Sequence, residues 1–251
     1  AAFLSACAAY TVGAGLVQIY TASENRLALQ ELLPEAIISC YDSYDDSQLS
    51  HLLDWADVVC IGCGLGMGQI SEKILKNVLK NVSCPCVIDA DGLNLLSRNI
   101  ELLNQCCAPV ILTPHMKEMS RLTGWSIDTI MEDRFQALDQ IIKQSGPDTK
   151  SSIICVLKDS RTVVAQTNRQ RFVNLAGNNS MAKGGSGDVL AGTIAGLLAQ
   201  HMAPFEATTV GVFLHACGGD EAKKSKGSYS VLARDLIQGM ADAMKNAKEC
   251  R

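Results

Sequence analysis

The residues best placed by type and spacing to do chemistry lie between Gly177 and Gln200. The run is Gly-Asn-Asn-Ser-Met-Ala-Lys-Gly-Gly-Ser-Gly-Asp, followed at once by an apolar helical pattern. Gly184, Gly185 and Gly187 strip three side chains from a short loop, which lets a ligand meet bare backbone. The helical pattern takes over at Val189, so Asp188 stands at or just inside a helix start, where N–H groups lack intrahelical acceptors. Such groups, with the positive end of the helix dipole, suit a phosphate. The same field favours an ionised Asp188, able to take a proton from a substrate hydroxyl while the loop holds a transferring phosphoryl group. The plainer alternative is a glycine-rich turn before an ordinary core helix. No Lys-Ser or Lys-Thr follows the last glycine, so this is not a Walker A loop.

Other groups are placed less sharply. The predicted strand Asp57–Ile61 runs into Gly62-Cys63-Gly64-Leu65-Gly66-Met67-Gly68, a strand–glycine loop–helix order that suits a substrate or nucleotide. It fails as a dinucleotide fingerprint, because the third glycine position falls on Met67 in one register and Gln69 in the other. Cys60 and Cys63, with Cys84 and Cys86, have the wrong spacing and setting for a zinc site or a redox dithiol and are read as packing residues. In Asp89-Ala90-Asp91-Gly92-Leu93-Asn94, Asp91 and Asn94 either face a ligand at a strand's C-terminal end or cap the next helix. Thr113-Pro114-His115 follows another strand, with Thr113 as the expected cap, Pro114 at the first helical position and His115 aimed at the same ligand-binding end. Lys158 ends a strand, where it meets either a nucleotide phosphate or solvent.

The elements that must position these groups alternate strand and helix, which predicts a parallel sheet. An opening helix runs to about Thr11 and a strand covers Leu16–Tyr20; Ser23 caps a short helix, and the next strand is Ala36–Cys40. A helix over Leu49–Trp55 precedes the strand Asp57–Ile61; a helix from Ile70 to Lys80 precedes the strand Cys86–Asp89, and Pro109–Leu112 is another strand. One long amphipathic helix is expected from Ser126 to Gln144, stopped by Ser145-Gly146-Pro147. A small meander of Ile153–Leu157, Thr162–Ala165 and Arg171–Val173 follows, with Asn168-Arg169-Gln170 as one of its turns. Behind the catalytic loop, Ala191, Ala195 and Ala199 form one stripe and Gly192 with Gly196 another. Each helical glycine costs about 1 kcal/mol against alanine, so the pair predicts close packing on a neighbouring element. A helix from Pro204 to Ala222, a polar loop over Lys223–Ser228 and a last helix from Leu232 to about Lys248 complete the chain.

At 251 residues and 47% hydrophobic content the chain reads as one α/β domain. Net charge −4 and a pI near 5.6 give no field for nucleic acid or an anionic membrane. The longest apolar run, Val189–Ala199, is too short to span a bilayer, and no signal peptide is recognised. Eleven scattered cysteines, an odd number, read as the reduced core residues of a cytoplasmic protein. Ala1-Ala2-Phe3-Leu4 starts in mid-pattern, so residues are expected upstream.

Taken together, Gly-x-Gly-Leu-Gly (62–66), Asp-Ala-Asp-Gly-Leu-Asn (89–94), Thr-Pro-His-x-x-Glu (113–118), Val-Leu-Lys (156–158) and Gly-Asn-x-x-Met-Ala-Lys-Gly-Gly-Ser-Gly-Asp-Val-Leu-Ala-Gly (177–192) resemble the NAD(P)H-hydrate dehydratases. These are ribokinase-like α/β enzymes that repair hydrated NADH and NADPH, with a mostly parallel central sheet flanked by helices and a small antiparallel meander at one edge. The resemblance covers nearly the whole chain; Met-Ala-Lys before the glycines separates the family from sugar, thiazole and pyridoxal kinases. It implies that ADP or ATP phosphorylates the hydrate hydroxyl of NADHX or NADPHX, after which phosphate leaves and the nicotinamide ring is restored. Asp188 would activate the hydroxyl, and Gly184, Gly185, Ser186 and Gly187 would form the anion hole. The hydrated dinucleotide would meet Ala1, Gly64, Gly66, Asp91, Asn94, His115 and Asp188. Lys158, Asp159, Ser160, Arg161 and Thr162 would meet the AMP part of the nucleotide, and Mg²⁺ would enter as the nucleotide's counter-ion without a protein cage of its own.

Three departures accompany the resemblance. Cys63 stands where the family's loop usually has proline, and Asp159 stands where it tends to have glycine after Lys158. The family's first strand and glycine-rich turn fall upstream of residue 1, leaving residues 1–251 as one ribokinase-like domain without them. Homo-oligomerisation is expected from the small-residue helix and an open meander edge. The rival readings are a kinase of a small vitamin-precursor alcohol and a nucleotide-binding module without turnover; an NAD-dependent dehydrogenase is disfavoured by the failed fingerprint.

Overall fold

The computed structural model describes residues 1–143, 152–167 and 170–249. The expected Ser145-Gly146-Pro147 stop and Asn168-Arg169 of the meander turn lie outside the described residues. In chain order the first elements are α1 (Ala2–Thr11), β1 (Gln18–Ala22), a 3₁₀ turn at Ser23–Asn25, α2 (Arg26–Leu32) and β2 (Ile37–Tyr41). Next come α3 (Asp46–Trp55), β3 (Val59–Ile61), α4 (Gln69–Asn81), β4 (Cys86–Ile88), α5 (Asp91–Leu96), a 3₁₀ segment at Ile100–Gln105 and β5 (Val110–Leu112). Then follow α6 (Met116–Thr123), α7 (Ile127–Glu132), α8 (Arg134–Ile142), β6 (Ile153–Leu157), β7 (Val163–Gln166) and β8 (Arg171–Val173). A 3₁₀ turn at Asn179–Met181 precedes α9 (Ser186–Leu198), α10 (Pro204–Lys226) and α11 (Ala233–Glu249).

These elements gather into two compact units. The first comprises Ala1–Asp45, Ala176–Met202 and Val210–Arg251, the second Asp46–Leu175 and Ala203–Thr209. In the first unit β1 and β2 pair in parallel, from Gln18 opposite Ile37 to Ala22 opposite Tyr41. Their register brings Tyr20 and Tyr41 together with ring centroids 4.9 Å apart. Ala6, Ile19, Leu29, Leu33 and Ala36 fill one side of this unit, and Ala8, Val189, Leu236, Ile237 and Met240 fill another. The glycine stripe of α9 lies against α1. A Cβ on Gly192 would stand 2.0 Å from the Ser5 carbonyl oxygen, and one on Gly196 would stand 2.7 Å from that of Ala9.

The second unit holds a six-stranded sheet in the order β3-β4-β5-β6-β7-β8. It is parallel from β3 to β6 and antiparallel from β6 to β8. Every residue of β4, β5 and β6 is buried, as expected of parallel strands covered on both faces and written as continuous apolar runs. Among the flanking helices, α4 buries Ile74, Leu75, Val78 and Leu79, and α8 buries Ala137, Leu138, Ile141 and Ile142.

Several expectations are corrected. The long helix from Ser126 is two helices, because Asp133 leaves the helical region with φ −144° and its side chain accepts the Gln136 N–H at 2.9 Å. A short acid that offers the backbone an alternative partner breaks the helix although the apolar spacing continues. The polar segment after Ala222 is helical as far as Lys226; lysines there suit a helix C-terminus, and Lys224 pairs with Glu221 at 2.7 Å. Ser23 opens a 3₁₀ turn whose N-cap is Ala22, and the N-cap of α2 is Asn25, so Ser23 takes neither capping position. The parallel strands fall in two sheets, β1 and β2 forming one of their own. Of the four cysteines read as packing residues, Cys86 is buried, Cys63 and Cys84 are half-buried, and Cys60 is exposed.

Candidate active site

The glycine loop before Asp188 belongs to the first unit. Gly185, at φ +92°, caps α9 in the left-handed region; a Cβ there would stand 2.5 Å from Leu4 Cδ1 and 3.1 Å from Ala233 Cβ. Only glycine turns the chain at that point without strain. Ser186, the first helical residue, donates its hydroxyl to the Met181 carbonyl at 2.7 Å and its N–H to the Lys183 carbonyl at 3.2 Å. Val189 donates its N–H to the Gly185 carbonyl at 3.1 Å, so the helix closes its first backbone bond one residue past Asp188. Asp188 is thus the third helical residue, in the half-buried first turn with Gly185, Ser186 and Gly187. Glycine backbone, helix dipole and a carboxylate are brought together here: donors for an anion and an acceptor for a proton. Gly184 precedes them and is exposed. Ala1 is the N-cap of α1, its carbonyl accepting the N–H groups of Leu4 at 2.8 Å and Ser5 at 3.2 Å.

In the second unit the strand ends carry a second cluster. Gly62 has φ +114°, and a Cβ there would stand 1.9 Å from the Asp89 carbonyl oxygen, so the glycine loop lies directly on the turn that follows β4. Asp91 does not cap α5 with its side chain; its Oδ2 accepts the Gly66 N–H at 2.8 Å and ties the two loops together. Ala90, between the two acids, has φ 48°. Asn94 accepts from the Arg121 guanidinium at 2.6 Å. Gly64 also has a positive φ, +70°.

His115 lies at the start of α6, where it replaces the expected cap Thr113. Its Nδ1 accepts the Glu118 N–H at 3.1 Å, while Glu118 Oε2 accepts the His115 N–H at 2.8 Å, a reciprocal capping box. Thr113 instead donates its hydroxyl to Asp89 Oδ1 at 2.8 Å. Pro114 is outside the helix, its carbonyl accepting the Lys158 N–H at 2.8 Å. Lys158 is paired with acids: its Nζ lies 2.6 Å from Asp89 Oδ1 and 3.9 Å from Glu118 Oε2. Asp89 is only 1% exposed, and withdrawing the ammonium would leave a buried carboxylate uncompensated. Burial pushes the Glu118 carboxyl above its usual range, and burial with the Lys158 ammonium pulls His115 below its usual value. His115 Nε2 is 3.4 Å from Glu118 Oε1, but both shifts work against an ion pair there. Asp159 pairs with Arg134 at 3.0 Å, Thr162 donates its hydroxyl to the Asp159 carbonyl at 3.3 Å, and Arg161 donates to the Leu175 carbonyl at 3.0 Å; Ser160 is exposed.

The loop residues Gly184 to Asp188 are therefore contiguous, Gly66 is joined to Asp91, and His115 is bridged to Lys158. Sequence reasoning missed the cluster Asp89–Thr113–Glu118–Lys158. Its signal was the acid three residues after His115, the spacing of a capping box. Burial pushes the Cys84 and Cys86 thiols above their usual value.

The fold is that of the ribokinase-like class, a mostly parallel sheet flanked by helices with antiparallel strands at its edge. Residues 1–241 match the model of the NAD(P)H-hydrate dehydratase family, and the chain belongs to that family. It is 34% identical over 254 residues to the bifunctional NAD(P)H-hydrate repair enzyme Nnr of Moorella thermoacetica, covering 98% of this chain and 47% of that protein. To the ADP-dependent (S)-NAD(P)H-hydrate dehydratase of Neisseria meningitidis it is 35% identical, over 86% of this chain and 73% of that one. Among solved structures, the ADP/ATP-dependent NAD(P)H-hydrate dehydratase of Bacillus subtilis co-crystallized with ATP and Mg²⁺ superposes with a TM-score of 0.82 at 27% identity, over 98% of this chain and 84% of that one. The chain spans about half the length of the bifunctional relatives it matches. Among the described residues, no helix is long and apolar enough to cross a membrane.

Proposed function

We propose that the chain dehydrates the hydrates of NADH and NADPH at the expense of ADP or ATP. The observation that carries this reading is the start of α9, where a left-handed glycine, helix-terminal backbone and Asp188 form one short structure. Asp188 takes the proton of the hydrate hydroxyl as that oxygen attacks the terminal phosphoryl group. The amides of Gly184, Gly185 and Gly187 stabilise the charge on the transferring group, while the expected Ser186 N–H is donated to the Lys183 carbonyl. AMP or ADP leaves in that transfer, and loss of phosphate together with a proton from the neighbouring ring carbon then restores the dihydronicotinamide ring. The loop offers N–H donors and a single carboxylate, which suits an anion better than a cation cage, so Mg²⁺ enters with the nucleotide's own phosphates.

Gly64, Gly66, Asp91, Asn94 and His115, with Ala1, are proposed to bind the hydrated dinucleotide. Asp159 to Thr162 are proposed to meet the AMP part of the nucleotide through their turn. Lys158 acts less as a phosphate ligand than as the partner of Asp89, given their 2.6 Å contact. Residues 1–251 are proposed to work as one catalytic domain in the cytoplasm, as a homo-oligomer and without nucleic-acid partners. The α9 glycine stripe is taken by α1, which leaves the β8 edge of the six-stranded sheet as the support for self-association.

The test is to mix the protein with NADH hydrate, Mg²⁺ and ADP or ATP and to follow the return of NADH absorbance. Recovery should require nucleotide and fall by about 10²–10⁴-fold in Asp188→Asn, the usual worth of a general base. If the wild-type protein binds nucleotide yet restores no NADH, the reading fails and vitamin-precursor alcohols become the substrates to try.

A further inference from the structure

The turn that leads into α9 is held in place by a second helix of the same unit. Gly177, at φ +95°, donates its N–H to Asp220 Oδ2 at 3.1 Å, and the Asn178 side-chain amide donates to Asp220 Oδ1 at 2.7 Å. Asn178 Oδ1 accepts the Ser180 N–H at 3.0 Å and also its hydroxyl, capping the 3₁₀ turn at Asn179–Met181. The Met181 carbonyl then accepts the Ser186 hydroxyl at 2.7 Å and the Lys183 N–H at 2.8 Å. Beside Asp220 on α10, Gly219 leaves a slot that Met181 fills; a Cβ there would stand 2.2 Å from the Met181 sulfur. Hydrogen bonds and the short turn between Ser180 and Met181 thus connect Asp220 to Ser186, the first residue of α9 and two before Asp188.

We propose that Asp220 is a positioning residue for phosphoryl transfer, which sets the anion loop and Asp188 in their working geometry through Asn178, Met181 and Ser186. The proposal rests on the dehydratase reading given above. Asp220 touches neither substrate nor nucleotide in this scheme. Its value lies in having two acceptor oxygens facing two donors, and an amide in its place would set an NH₂ group against one of them. A displaced loop costs turnover, because misplacing reacting groups by about 1 Å can lower a rate by about 10²-fold.

The polarity of the pair supplies the test. Asp220→Asn alone breaks one of the two bonds. Asn178→Asp together with Asp220→Asn exchanges donor and acceptor and restores both. The amide now at position 220 accepts the Gly177 N–H through its carbonyl and donates through its NH₂ to the carboxylate now at position 178. In the NADH-recovery assay, D220N is expected to lower kcat about 10- to 100-fold with KM for the hydrate within about twofold of wild type, and the double variant to regain most of the loss. Amide hydrogen exchange over Gly184–Asp188 is expected to rise in D220N and fall back in the double variant. Wild-type exchange in D220N, wild-type kcat in D220N, or a double variant that restores neither quantity overturns the proposal. If D220N does not fold, Asn178→Ala cuts the same run while leaving Asp220 bonded to Gly177, and unchanged exchange there overturns it equally. A wild-type protein without dehydratase activity would sink the dehydratase reading, and the exchange measurement would then decide the clasp by itself.

Discussion

His115 shows how a residue's neighbours set its chemistry. Its ring is pulled below 6.5 first by burial and then by the Lys158 ammonium, so at neutral pH it is a neutral imidazole whose Nδ1 accepts the Glu118 N–H. Protonating Nδ1 would turn that acceptor into a second donor facing the same N–H. Between the depressed value and 6.5, the unfolded chain binds a proton that the native protein refuses. His115 therefore contributes stability that is present above 6.5 and is lost as pH falls through the depressed pKa. Ring-proton NMR should place the His115 midpoint below 6.5; a midpoint above it would contradict this environment. Near pH 7 such a ring is a hydrogen-bonding group and not a proton donor.

At the scale of elements, the contact of α1 with α9 is the tightest dependence. Gly192 admits the Ser5 carbonyl where a methyl group would stand 2.0 Å from it, and the obstruction is backbone, which cannot swing aside. Alanine would gain about 1 kcal/mol of helix propensity, yet the two helices would have to separate. Gly192→Ala is therefore expected to destabilise by about 1–3 kcal/mol net, read from the urea midpoint of unfolding. A stabilised variant would mean that α1 does not lie on α9 as described. Because α9 begins at Ser186, separation should also disturb the anion loop and lower turnover.

At the scale of the molecule, a nucleotide bound only by the folded chain must stabilise it by mass action. With ADP or ATP and Mg²⁺ at about 100 times the dissociation constant, stability should rise by about 2.7 kcal/mol, seen as a higher thermal midpoint. No rise at any concentration of either nucleotide would contradict nucleotide use. The stabilisation should persist in Asp188→Asn, since removing a base from a phosphoryl-transfer site leaves ground-state binding of phosphate largely intact.

Local signals made much of this protein legible. Apolar runs and the alternation of strand and helix marked β4 and β5 as strands of a parallel sheet, and glycines followed by an acid marked a helix start at Asp188; β6 is legible only as the first strand of the meander, and its parallel pairing with β5 comes from the structure. Both depend on neighbours in sequence: runs of apolar residues and a helix terminus are local facts. The paired glycines of α9 announced a close approach but not its partner, which proved to be α1. Spacing likewise could not show that Asp133 would break a helix whose apolar periodicity continued, that Asp91 would tie down Gly66, or that Lys158 would be taken up by Asp89. The last is a contact between residues 69 positions apart. Each of these is a polar side chain choosing among several partners, and the choice turns on which donor or acceptor burial leaves within reach. For Asp91 and Lys158 tertiary structure alone settles that, whereas Asp133 finds its partner three residues on; tertiary structure likewise brings Asp220 of α10 to the turn that enters α9.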